Sequence, residues 1–87
     1  MNMKIIEKAM ERFALPAEAL GHGRLILSGD SHLLIENHRG ILEYSEEFIL
    51  IAMKKGQLSL SGSALSLYAI DSDSIVIGGK IQSIELG

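Results

Sequence analysis

Between Leu25 and Leu86 the chain repeats one short unit: a few apolar residues of strand type, a polar turn, then the next apolar run about eight residues further on. Strands this short have no independent stability, so they must share one core. The runs are Leu25–Leu27, Leu33–Ile35, Ile41–Tyr44, Phe48–Met53, Leu58–Leu60, Leu65–Tyr68, Ile75–Ile77 and Ile81–Leu86. Their separators, among them Asn37-His38-Arg39-Gly40, Gly62-Ser63, Asp71-Ser72-Asp73-Ser74 and Gly78-Gly79, are rich in residues that accept positive φ or form Asx turns. Antiparallel hairpins are therefore expected, building a β-sandwich or partly open barrel of about eight strands, with a stacked β-solenoid as the rival architecture.

Alternation predicts which side chains enter the core. Leu58, Leu60, Leu65, Leu67, Ile75 and Ile77 are expected to point inward, with serines on the wet face of Leu58-Ser59-Leu60-Ser61 and Leu65-Ser66-Leu67. Three runs break the rule. Leu25-Ile26-Leu27, Leu33-Leu34-Ile35 and Phe48-Ile49-Leu50-Ile51-Ala52-Met53 are apolar on both faces, so something must cover the second face. One candidate cover is the N-terminal segment, where Met3, Ile6, Met10 and Phe13 fall at helical spacing and Lys4, Glu7, Lys8, Glu11 and Arg12 take the other side. This predicts an amphipathic helix over Asn2–Ala14, closed before Pro16, and divides the chain into residues 1–20, helix and turn, and residues 21–87, the β domain. The other candidate cover is a second subunit.

A chain of 87 residues buries about 60–65% of its unfolded surface, enough for one core and no more. Eight Lys plus Arg stand against eleven Asp plus Glu, a balance that argues against binding a phosphate backbone. No cysteine is present, so disulfides and thiolate metal sites are excluded. No apolar stretch is long enough to span a bilayer, and the first twenty residues alternate charge with apolar residues instead of forming a signal-peptide core.

Candidate chemistry is sparse. His22, His32 and His38 lie at spacings unlike those of recurrent zinc sites, and no cofactor or metal is expected. Asp71-Ser72-Asp73-Ser74 starts like a calcium loop but lacks the glycine and bidentate glutamate that complete one, which leaves a polar turn. No G-x-S-x-G elbow or complete phosphate loop occurs, and no catalytic residue is assigned. The most distinctive group is Asn37-His38-Arg39-Gly40, whose amide, imidazole and guanidinium could grip a carboxylate or phosphate. As a hairpin loop, the same four residues would place Gly40 in the left-handed region and leave His38 and Arg39 as solvated tips or an interaction patch. Asn37, His38, Arg39, Gly40, Phe48 and Leu50 are the candidate interaction residues. The alternative is a small-ligand-binding domain or enzyme using the Asn37–Gly40 loop.

The segment Ile35-Glu36-Asn37-His38-Arg39-Gly40-Ile41-Leu42-Glu43-Tyr44-Ser45 resembles the YabP/YqfC family of bacterial sporulation proteins, in particular its YqfC-like branch. Gly29, Lys55-Gly56-Gln57-Leu58-Ser59-Leu60-Ser61-Gly62, Leu65-Ser66-Leu67 and Ile75-Val76-Ile77-Gly78-Gly79-Lys80-Ile81 fit the same pattern in order and spacing, from about Leu15 to Leu86. Gly78 departs from it, since the family more often carries a charged or polar residue there. The resemblance implies a non-enzymatic protein of endospore formation, needed for the envelope of the developing spore and working in the mother-cell cytoplasm or peripherally at that envelope. It also implies a membrane-bound sporulation partner. Apolar supply beyond one small core, together with unpaired strand edges, adds the expectation of a homo-oligomer, by default a two-fold dimer.

Overall fold

A computed structural model describes residues 3–6, 12–14, 23–28 and 31–87. They form eight strands: β1 (Met3–Ile6), β2 (Arg12–Ala14), β3 (Arg24–Ser28), β4 (His32–Glu36), β5 (His38–Tyr44), β6 (Phe48–Met53), β7 (Gln57–Ile70) and β8 (Ser74–Leu86). All pair antiparallel in one sheet ordered β2-β3-β4-β8-β7-β6-β5, with β1 also on β8. The chain is thus mainly β, as the period-two runs require. Hydrogen bonding makes a single sheet, not the two separate sheets that a sandwich of hairpins would have.

The sheet closes around its core because its two longest strands bend. The first half of β7 pairs with β6 and the second half continues past it, while β8 pairs with β4 through Ser74–Gly78 and with β1 near its C-terminal end. One leaf therefore holds β5, β6, the first half of β7, the end of β8 and β1. The other holds the second half of β7, the start of β8, β4, β3 and β2. A flat sheet is a single layer, with packed layers about 10 Å apart; the principal extents here are 27, 23 and 21 Å, so the sheet is strongly folded.

The bends correct the expectation of hairpins at Gly62-Ser63 and Gly78-Gly79. Both pairs lie inside continuous strands. Pairing slips between Ser63 and Ser66 in β7, where Ala64 takes φ 53°. Opposite it, Gly79 has φ 115°, and a Cβ there would collide with the Ala64 carbonyl and the Leu65 backbone. The two strands bend against each other at a contact that only a glycine permits. Glycine punctuation signals either a reversal or a bulge, and here it marks bulges. Gly78 lies beneath the Tyr68 ring, which occupies the space a Cβ would need.

The inward faces of both leaves form one cluster, with Leu25, Leu27, Leu33, Ile35, Ile49, Ile51, Leu58, Leu60, Ile75, Ile77 and Ile84 fully buried and Met53, Leu65 and Ile81 nearly so. Of the six expected core residues, five are buried and Leu67 packs against the cluster's margin. Outward residues of the doubly apolar runs, Ile26, Leu34, Phe48, Leu50 and Ala52, are half-buried.

The N-terminal helix is corrected where residues are described. Met3–Ile6 is a strand on β8 and Arg12–Ala14 a strand on β3. Asn2, residues 7–11 and the Pro16 turn lie outside the described residues. The spacing that reads as a helical stripe gives way, in these two stretches, to the hydrogen-bonding demand of open strand edges, a tertiary term that overrides propensity. Both stretches extend the sheet at its edges, β1 on β8 and β2 on β3.

Candidate functional site

Asn37 is where the chain leaves one leaf and enters the other. β4 ends at Glu36, paired with β3 and β8, and β5 begins at His38, paired with β6. A crossing this short needs an abrupt backbone turn, supplied by Asn37 at φ 61°, a conformation asparagine tolerates better than most residues. Its N–H donates to the Asp73 carbonyl, tying the crossing to the β7–β8 turn. Gly40 follows at φ 123°, as its place in the sequence suggests, with open space where a Cβ would lie.

His38 is the main correction. It is a buried side chain, 8% exposed, not a solvated loop tip. The Gly40 N–H donates to Nδ1 at 3.0 Å, so that nitrogen carries no proton. Nε2 then bears the proton and donates to the Asp71 carbonyl at 3.0 Å. With both nitrogens satisfied by backbone groups, the neutral ring has neither a lone pair nor a proton left for a substrate. Four consecutive residues read as a loop because Asn and Gly mark reversals; here they make a leaf-to-leaf crossing, and the imidazole between them fills the junction and staples it.

The Asp71–Ser74 turn is built from the same parts. Asp71 Oδ1 accepts the N–H groups of Asp73 at 2.8 Å and Ser74 at 2.7 Å. The Asp73 N–H, followed by that of Ser74, holds the Asp71 carboxyl below its ordinary 3.8. This is the polar turn that the sequence suggests, serving as the anchor for His38.

The candidate residues do not converge. Asn37, His38 and Gly40 are structural parts of the crossing, while Arg39 projects into solvent. Phe48 and Leu50 lie on the outer face of β6, away from Ile49 and Ile51, in register with Ser61 and Ser59. Ala52, next along that face, pairs with Gly40 and is the link between the two sets. Sequence reasoning missed Leu42, Tyr44, Tyr68 and Ile70, which are 52%, 49%, 59% and 54% exposed. Leu42 and Tyr68 are the extra residues of bulges in β5 and β7, so counting alternate positions places neither correctly.

Among the described residues no three His, Cys, Asp or Glu side chains gather as metal ligands, and no helix is long and apolar enough to cross a membrane. His32 is exposed and stands edge-on to Tyr68, with ring centroids 5.5 Å apart. His22 lies outside the described residues.

Fold and site together define a small antiparallel β domain whose most distinctive polar side chain joins strands instead of facing a ligand. The YabP family matches residues 20–87, and the chain belongs to that family. It is 36% identical over 61 residues to the uncharacterized protein YqfC of Bacillus subtilis (strain 168), a match that takes in 70% of this chain and 66% of that protein. The chain thus matches just under two thirds of the length of this curated relative. No solved structure matches it significantly.

Proposed function

We propose that this protein is a non-enzymatic structural or assembly protein of bacterial endospore formation, acting in spore-envelope development through protein–protein contacts. Family membership across residues 20–87 carries the reading, through the association of that family with sporulation. The engagement of both His38 nitrogens by backbone supports a contact role over the ligand-binding alternative. In this reading the protein works in the mother-cell cytoplasm or peripherally at the envelope, beside a membrane-bound partner and in self-association. Arg39 and the half-buried Phe48 and Leu50 are the surfaces offered for contact.

Deleting the gene and cross-linking the tagged protein in sporulating cells tests this. The expected result is a defect in spore-envelope formation together with a cross-linked partner that is lost on replacing Arg39 and Leu50. Normal spores and no cross-linked protein would end the reading. Light scattering over a concentration series addresses self-association separately: a persistent monomer would leave only the heteromeric contact.

A further inference from the structure

Two strand edges stand open side by side. β5 has β6 on one flank and no strand on the other among the described residues, and from Ser66 to Ile70 β7 pairs with β8 alone. At one end of these edges His38 Nε2 donates to the Asp71 carbonyl at 3.0 Å. At the other, the Leu65 N–H donates to the Glu46 carbonyl at 2.8 Å, and the Tyr44 hydroxyl reaches the Leu65 carbonyl at 3.5 Å. Between those ties the strands run in opposite directions with no ladder joining them. The seam is as long as β5, seven residues or about 20 Å of extended chain.

Among the described residues the mostly exposed large apolar side chains, Leu42, Tyr44, Tyr68 and Ile70, all belong to the strands that flank this seam. Open backbone groups beside apolar side chains are what an added strand uses, through main-chain hydrogen bonds for affinity and side-chain contacts for choice. The charge around the seam then selects the occupant. Glu43 lies along β5, Glu46 and Glu47 at one end, and Asp71 and Asp73 at the other, all exposed, against the single cation of β5, Arg39. Glu43, Glu46 and Glu47 form no ion pair among the described residues.

We propose that the seam between β5 and the second half of β7 binds one extended segment of another protein, alternating in apolar residues and carrying Lys or Arg at its ends. This rests on the contact reading above and names the chemistry of the partner. A second copy of this chain is the poorer occupant, because it would bring two acidic rims together and because bulges at Arg39, Leu42 and Tyr68 twist the edges away from flat pairing.

A phage library of random segments of about ten residues, long enough to run the seam, is panned on the full chain and on an E46K/E47K variant. Enriched segments should alternate in apolar residues, end in Lys or Arg, and shift the amide resonances of β5 and Leu65–Ile70. Their affinity should fall roughly tenfold on the charge-reversed variant. A matching melting temperature shows that this variant is folded, and E43K gives a second reversal outside the Ser45–Phe48 turn. No enrichment, enrichment without cationic ends, or affinity indifferent to both reversals overturns the proposal. So does pairing of two copies through β5. Segments that map to Phe48 and Leu50 instead would overturn the seam and leave the contact reading intact.

Discussion

β5 and β6 are neighbours in one leaf and are made in different ways. Along β6 burial alternates without a break, with Ile49, Ile51 and Met53 inward and Phe48, Leu50 and Ala52 outward, and its register with β7 is unbroken from Phe48–Ser61 to Ala52–Gln57. Along β5 the register with β6 slips twice, and from Leu42 onward the strand is exposed. What holds β5 beyond its ladder is a few ties at its ends: the His38 ring on the Asp71 carbonyl beside the Asn37 N–H on the Asp73 carbonyl, and the Leu65 N–H on the Glu46 carbonyl. A central strand is determined by its own pattern and its neighbours' ladders. An edge strand is determined by where a few polar groups fasten it, and that leaves an open flank for a partner.

The sharpest way to break the comparison is to remove apolar volume from each strand. Ile51→Ala should cost about 2–5 kcal/mol through lost transfer energy and the cavity left behind, and Leu60→Ala, fully buried in the adjoining strand β7, a similar amount. Leu42→Ala, at a half-exposed bulge of β5, should stay within about 0.5 kcal/mol. Chemical denaturation reads both. A loss at Leu42 comparable to that at Ile51 would mean that β5 is as deeply integrated as β6, and the open flank would lose its basis.

Much of the leaf structure was legible because inward residues obey a period of two wherever a strand is regular. Phe48–Met53 is one strand with the bounds its apolar run suggests, and Leu58, Leu60, Ile75 and Ile77 are buried as alternation requires. The merger of four short runs into two bent strands was not legible, since Gly62 and Gly79 read identically whether the chain reverses or bulges. Only the meeting of Gly79 with Ala64 decides between them. The N-terminal stripe misled for a related reason. Its spacing suits a helix, yet in Met3–Ile6 and Arg12–Ala14 the backbone joins open edges that other parts of the chain create. The same limit applies at the candidate site, because the carbonyl to which His38 Nε2 donates is 33 residues away.

A smaller effect is expected where β5 is fastened. His38→Ala leaves the Gly40 N–H without its acceptor and the Asp71 carbonyl without its donor in a largely buried junction, a cost of about 1–3 kcal/mol. Arg39→Ala, one residue along and in solvent, should change stability by no more than about 0.5 kcal/mol. Hydrogen exchange adds the structural half of the test: His38→Ala should speed exchange in β5 more than in β6. Equal acceleration in both strands would show that the ring supports the whole leaf instead of fastening its edge.

The smallest effect concerns the anchor of that fastening. The Asp71 carboxyl is held below its ordinary 3.8 first by the Asp73 N–H and then by that of Ser74, so the ionised form is favoured on folding. Its contribution is therefore complete above that ordinary value and is lost as pH falls through the lower folded one. Because the group is exposed and water-screened, the change should be slight and confined to the acid limb. Asp71→Asn keeps an oxygen that can accept from the turn but removes the charge, so its stability should fall less steeply than that of the parent chain in acid, and denaturation midpoints at neutral and acid pH will read the difference. An identical acid limb in the two proteins would mean that the charge adds nothing to the turn. That end of β5 would then be held by its neutral ties alone, the His38 ring on the Asp71 carbonyl and the Asn37 N–H on the Asp73 carbonyl, with the edge fastened without help from charge.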